Sequence, residues 1–426
     1  MKTLSFFGIF LAICLSGCSS DELKDSPKDD PTALFGTDTE RYDIPLSSKS
    51  KEVNAISQQF AINLFRTVAG TEKDNCCISP LSASLCLGMV LNGADKETYR
   101  EIQDVLGYKE FSNQEINEYV QTMQTELPKL DGRTLLTNAN SLWINNLYTL
   151  LPGYIQLNKT YYNAEVSNEP FDVTTTNKIN QWCNDKTNGL IPQIVDGVSP
   201  DAVCYLMNAI YFKGQWTNEF KKADTKEHTF YTSDGNNDEV MMMMQKNNFN
   251  FYRDKEVTIV ELPYGNKALS MIAFIPTLPE TENIDHIIST LDQNKWEQWM
   301  SNMKEYGFEL YLPRFKMEKE MDLIKTMQTL GIHQAFTEQA DFSKMSDLSG
   351  IYINLIRQNT SLEVNEAGSK ATAVTITGIA TSNGDESSKF NPWPTIVKFD
   401  HPFGYVIREN STGAILFAGK VVKPEQ

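Results

Sequence analysis

A chain of 426 residues, 41% of them hydrophobic, is long enough for one large domain or two ordinary ones and can fill a sizeable core. Its formal net charge of -17 removes the basic face that a phosphate backbone requires, which excludes nucleic acid as a partner. The lysines and arginines are scattered, with no basic stripe interleaved with aromatics, so activation by a heparin-like polyanion is not expected either.

The N-terminus reads as an address. Lys2 precedes an apolar run from Leu4 to Leu15 that is too short for an ordinary membrane span. The run ends in Leu15-Ser16-Gly17-Cys18, and small residues directly before a cysteine resemble a bacterial lipoprotein processing site. Residues 1–17 are then a signal peptide and Cys18 the lipidated first residue, anchored by acyl chains worth about 0.8 kcal/mol per buried CH₂. The expected location is the bacterial cell envelope, held to the membrane through that lipid. Asp21-Glu22 resembles a surface-export signal of some Gram-negative lipoproteins. A plain signal peptide with an incidental Cys18, followed by a solvated linker, is the other reading. From Cys18 to about Ser50 the chain is rich in Ser, Asp, Lys, Pro and Thr, a tether composition.

Ordered patterning starts near Val53. Val53, Ile56, Phe60, Leu64 and Val68 recur at helical spacing. "SPLSASLCLGMVLNGA" places Ser79 as an N-cap and Pro80 at the first helical position. Strand-like runs then dominate: "LLTNANSLWI", "AVCYLMNAIYFKG", "EVTIVELPYG", "ALSMIAFIP", "FELYLPRF", "YINLIRQNTSLEVNE", "FGYVIRE" and "AILFAGKV". Helical stretches interleave, including "TNKINQWCNDKT" and "MDLIKTMQTLGI". No linker divides residues 51–426, which read as one α+β domain. The methionine run Met241 to Met244 reads as strand core. Cys76, Cys77, Cys86, Cys183 and Cys204 have no zinc or redox spacing and read as buried thiols.

An enzyme is not indicated. The four histidines (His228, His286, His333 and His401) show no metal-pair spacing, and no nucleophile elbow, phosphate loop or dinucleotide fingerprint occurs. No cofactor or metal is implied.

Taken together, "FAINLFRTVAG", "NCCISPLSASLCLGMVLNGADKETYREIQDVLG", "INQWCNDKTNGLI", "LMNAIYFKGQW", "ELPYGNKALSMIAFIP", "LPRFK", "LEVNEAGSKATAVT" and "FDHPFGYVIRENSTGAILFAGKVVKP" resemble, in order, the serpin family of serine protease inhibitors. The resemblance runs from about Val53 to Lys423. It implies a monomer with three sheets, about nine helices and an exposed reactive loop, here about residues 366–396. A protease that cleaves such a loop is trapped as an acyl-enzyme while the loop inserts as a new strand of the main sheet.

"NEAGSKATAVTITGIATSNGDESSKFNPWP" fits that role. Ser369, Ala371, Ala373, Thr375, Thr377 and Ile379 alternate as small or β-branched, uncharged side chains that face the core after insertion. The other set carries the single charge, Lys370, toward solvent. Glu366, Gly368, Ser369, Ala371 and Ala373 match the inhibitory hinge, with Gly368 as the pivot. Counting from the hinge puts the scissile bond at Ser382-Asn383, whereas counting back from Pro402-Phe403 reaches Asn391, nine positions later. The insertion-compatible pattern stops at Ser382, which favours the first count. Ala380, Thr381 and Ser382 suit an elastase-like, subtilisin-like or papain-like protease. Lys389 and Phe390 are alternative bait for trypsin-like and chymotrypsin-like enzymes.

The resemblance further implies that Ser79, Ser82 and Asn208 lie beneath the main sheet and regulate its opening. There Gln358 replaces the usual histidine, and Trp216 marks where the loop enters. The expected function is a suicide inhibitor of serine, and also cysteine, endopeptidases. The alternative is a non-inhibitory serpin that binds a partner or is cleaved as a substrate.

Overall fold

The computed structural model describes residues 39–187, 189, 191–233, 235–366 and 392–425. The first helix, α1 (Ser48–Thr71), is capped by Ser47, whose hydroxyl accepts from the Ser50 N–H. Its stripe of Val53, Phe60, Leu64 and Val68 is buried as the spacing predicts, while Ile56 is only half-buried. The helix begins earlier than the tether boundary drawn at Ser50, and the segment before it is already packed. Ile44 is 5% exposed and its N–H donates to Ser411 Oγ at 3.0 Å. Thr39 Oγ1 accepts from the Gly132 N–H at 3.1 Å. Thr39, read as part of a solvated tether, is instead hydrogen-bonded to the domain, while most of its polar neighbours stay exposed.

The second helix, α2 (Pro80–Leu91), opens at Ser79 with Pro80 in its first turn, as expected. Its residues are buried nearly all round, so it lacks a solvent face. There follow α3 (Lys96–Leu106), α4 (Asn113–Glu126), α5 (Pro152–Tyr162), α6 (Val173–Lys186), α7 (Ile284–Ser289), α8 (Gln293–Asn302) and α9 (Ile324–Leu330). The helix expected over "MDLIKTMQTLGI" is shorter than that run. Met321 and Asp322 pair with Gln358 and Arg357 as strand residues instead.

A five-stranded sheet has the order β10 (Phe315–Asp322), β11 (Ile353–Val364), β4 (Cys204–Gly214), β2 (Thr134–Asn145), β3 (Glu165–Glu169). A nine-stranded sheet begins β1 (Cys76–Ile78), β14 (Ile415–Val421), β13 (Phe403–Glu409), β8 (Leu269–Pro276), β7 (Val257–Tyr264). It continues through β6 (Asn237–Arg253) and β9 (Lys304–Pro313) to β12 (Ile396–Lys398), with β5 (Lys226–Tyr231) also on β6. β6 spans 17 residues; its start pairs with β5 and its end with β7. The second and third strand sets of the expected fold therefore share β6 and are hydrogen-bonded into one surface.

β4 is covered on both faces, which explains its unbroken apolar sequence. Leu206, Ile210 and Phe212 enter the main core with α1 and α2. Tyr205, Met207 and Ala209 enter a second cluster with Ile179, Trp182 and Cys183 of α6, which also touches Leu355 of β11. Of the methionine run, Met242 and Met243 are core, while Met241 and Met244 are half-buried. The five described cysteines are free and buried, and burial pushes the Cys76, Cys86 and Cys183 thiols up to about 12.

Candidate functional site: the foot of the loop and the seam beneath it

β11 leads directly into the segment with the odd alternation, and its last described residues are fastened on two sides. The Trp216 indole N–H donates to the Asn365 carbonyl at 2.8 Å. The indole is itself held flat on Tyr264, with centroids 4.3 Å apart and planes 13° apart, and edge-on to Phe220. Next in the chain, Glu366 is only 4% exposed. Its two carboxylate oxygens accept from Arg314 Nε at 2.8 Å each, and Oε1 accepts from Thr225 Oγ1 at 2.5 Å. Burial alone would raise this carboxyl, but the Arg314 and Thr225 bonds outweigh it and hold it below the ordinary carboxylate range. Arg314 sits between β9 and β10, and its own N–H is tied to the Met241 carbonyl at 2.9 Å. The partners of Glu366 lie 52 and 141 positions away. Nothing in the sequence around either residue pointed to this pairing.

Below the foot, β11 and β4 run parallel and are paired from Ile353↔Cys204 to Leu362↔Phe212. Their outer neighbours, β10 and β2, are both antiparallel to them. A segment that turned back after Glu366 and entered this seam would run antiparallel to both flanking strands. One parallel pairing would then be exchanged for two antiparallel ones, the slightly more stable kind per residue.

Gln358 and Asn208 face each other across the seam as register partners. Gln358 points toward α2 and is 2% exposed. Its Oε1 accepts from the Ser79 N–H at 2.8 Å, while Nε2 donates to the Ser79 carbonyl at 3.0 Å and Ser82 Oγ at 3.2 Å. Ser79 Oγ donates to the Leu416 carbonyl of β14 at 2.7 Å and accepts from the Ser82 N–H at 3.3 Å. One amide thus ties the seam to the first turn of α2, and Ser79 ties that turn to the other sheet. Asn208 does not join them. Its Nδ2 turns to Asn138 Oδ1 and Asn140 Oδ1 of β2, at 3.0 and 2.9 Å. Ser79, Ser82 and Gln358 thus form one hydrogen-bonded group and Asn208 belongs to another.

Gly368, Ser369, Ala371, Ala373, Ala380, Thr381, Ser382, Asn383, Lys389, Phe390 and the lipidation candidate Cys18 lie outside the described residues. His401 pairs with Asp400 at 2.8 Å and stacks on Tyr231. Among the described residues no cluster of side chains suits a metal ion.

This closed sheet, with a fastened strand leading into the loop, is the architecture of a serpin, and the chain belongs to the serpin family: the model described as "Serpin (serine protease inhibitor)" matches residues 55–424. Human Serpin B4 is 32% identical over 401 residues, covering 87% of this chain and 100% of that protein. The thermophilic serpin tengpin in its native state is 32% identical, with a TM-score of 0.78, over 90% of this chain and 97% of that structure. Human thyroxine-binding globulin has a similar fold, with a TM-score of 0.77 and 26% identity over 89% of this chain.

Proposed function

We propose that this protein is an endopeptidase inhibitor of the suicide-substrate type, directed at serine proteases and also at papain-like cysteine proteases. The observation that carries the reading is the parallel β11–β4 seam directly upstream of the loop. A protease attacks the loop at Ser382-Asn383 and becomes acylated on Ser382. The bond to Asn383 breaks, which frees residues 369–382 from their downstream tether. Glu366 leaves Arg314 and Thr225, the Gln358 latch yields, and the segment enters between β11 and β4. Trapping then depends on insertion outrunning hydrolysis of the acyl-enzyme. The chain is consumed rather than turning over, so it is not an enzyme. The small residues Ala380, Thr381 and Ser382 favour elastase-like, subtilisin-like or papain-like targets. Acyl chains on Cys18, after removal of residues 1–17, would hold the inhibitor at the bacterial envelope.

The test is direct. The purified protein is incubated with elastase-like, subtilisin-like, trypsin-like and papain-like proteases, run on denaturing gels, and the released peptide is weighed. A denaturant-stable band heavier than either partner, with a peptide that begins at Asn383, is expected. Cleavage without such a band at every ratio sinks the inhibitory reading. A released peptide starting at Lys389 or beyond moves the bait bond.

A second reading, a serpin that binds a partner or is merely cleaved, draws on two observations. Asn208 and Gln358 are not bonded to each other across the seam, and the loop exceeds the family length by the nine positions between Ser382 and Asn391.

A further inference from the structure

Beside Trp216 lies a cavity of about 290 Å³ that the trapping reaction does not use. Its floor is formed by Phe249, Leu262, Ser270 and the Glu261 carboxylate, all buried. Its walls are amides: Asn218, Gln245, Asn248, Asn250 and Asn410. Arg41, Lys267 and Glu305 complete the lining.

The charges are balanced and partly engaged. Glu261 accepts from Asn250 Nδ2 at 2.7 Å and from Arg408 at 3.4 Å, and Glu305 accepts from Asn248 Nδ2 at 3.1 Å. Asn410 Nδ2 donates to Ser270 Oγ at 2.7 Å. An anion such as phosphate would meet two carboxylates here, and a lipid chain would meet amides. A neutral polyhydroxylated molecule matches instead, because each hydroxyl can both donate and accept, as the amides do. Lys267 stands at the rim, in the turn that joins β7 to β8, where its φ is +70°.

The same wall carries the foot of the loop. The Thr217 N–H and Oγ1 donate to the Pro263 and Gly265 carbonyls at 2.9 Å each, and the Gly265 N–H donates to the Gln215 carbonyl at 2.7 Å. Between Gln215 and Thr217 sits Trp216, which lines the cavity and holds Asn365. We propose that this cavity binds a small neutral saccharide, and that its occupancy braces the Trp216 segment and delays loop insertion. The second half of the statement rests on the inhibitory reading; the first does not. A ligand that binds the closed form alone stabilises that form by mass action.

The full-length protein is titrated calorimetrically with glucose, N-acetylglucosamine and lactose, with inorganic phosphate and glycylglycine as the charged arms. One-to-one saturable binding of at least one saccharide, accompanied by a rise in Tm, is expected. Asn250→Ala should weaken it about fivefold, the loss of one hydrogen bond. Lys267→Gly relieves the left-handed backbone, so it keeps the fold and removes the rim ammonium, and it should weaken binding as well. No saturable binding of any of the three sugars, binding undiminished in both variants, or binding of phosphate or glycylglycine instead overturns the saccharide site. Bound saccharide should also slow protease trapping. Trapping at an unchanged rate with the site saturated overturns the coupling. Saccharide binding without any trapped protease overturns the inhibitory reading and leaves the site standing.

Discussion

Glu366 holds the foot of the loop through hydrogen bonds to Arg314 and Thr225. Truncating it leaves the half-buried Arg314 guanidinium and the buried Thr225 hydroxyl without their acceptor. Glu366→Ala should therefore lower native-state stability in urea by about 3 kcal/mol. The pH dependence has a definite sign. The folded pKa lies below the unfolded carboxylate value of about 4.3. The contribution is thus fully present above that value and is lost as pH falls through the folded pKa. Urea midpoints measured from neutral pH downward should fall in the wild type, and this component of the fall should be missing in Glu366→Ala. Gln358 can be tested in the same way. Gln358→Leu leaves the Ser79 N–H and carbonyl and the Ser82 hydroxyl without this partner, at a cost of roughly 1–3 kcal/mol in the same assay. An unchanged midpoint would mean that the amide is not a latch. Hinge residue types were legible one by one in the chain. Their partners were not, because nothing local marks Arg314 or Thr225 as the receptors of Glu366.

The helix packed in one cluster with the seam strands is α6. Ile179, Trp182 and Cys183 on its inner face share a buried cluster with Tyr205, Met207 and Ala209 of β4, and Leu355 of β11 packs against that cluster. On the inhibitory reading, a strand entering between β4 and β11 would disturb this cluster. Trp182→Ala opens a cavity under the helix and should cost about 3–5 kcal/mol of native stability. If α6 restrains the opening, the same change should raise the rate of loop insertion, read as faster appearance of the denaturant-stable complex. Destabilisation with an unchanged rate would assign α6 to the scaffold alone. The strands themselves were well marked, since β4, β8 and β14 read as unbroken apolar runs. What periodicity could not tell is that β6 belongs to two strand sets. Its alternation is the same whether its neighbour is β5 or β7. The shortened α9 is the complementary case: Met321 and Asp322 fit a helix by composition, and pairing with β11 decides against it.

For the whole molecule, the inhibitory reading requires that the closed sheet be a state held by a barrier, one that cleavage lets residues 369–382 leave. Insertion as a central strand would add main-chain hydrogen bonds worth about 1 kcal/mol each and bury one face of small side chains, a gain on the order of 10 kcal/mol. Protein cleaved at Ser382-Asn383 should accordingly melt tens of degrees above the intact form. Equal melting temperatures, followed by circular dichroism, would mean that cleavage does not drive insertion. Location is a separate property of the whole chain. Cys18→Ser should move the protein from the membrane fraction to the soluble fraction of fractionated cells, and unchanged partition would leave residues 1–17 as a plain signal peptide.

By itself the sequence determined the order and type of most elements, the cap of α2, the insertion-compatible alternation after Gly368 and the family. All of these are written in neighbouring residues, through periodicity, turn chemistry and the order of motifs. Only the tertiary structure decided which groups hold the loop's foot, that Gln358 engages Ser79 and Ser82 while Asn208 turns to β2, and that residues 39–47 belong to the folded body. The physical reason is the same in each case. A polar side chain states that it needs a hydrogen-bond partner, but whether that partner is water or a group hundreds of positions away is settled only when the chain closes on itself.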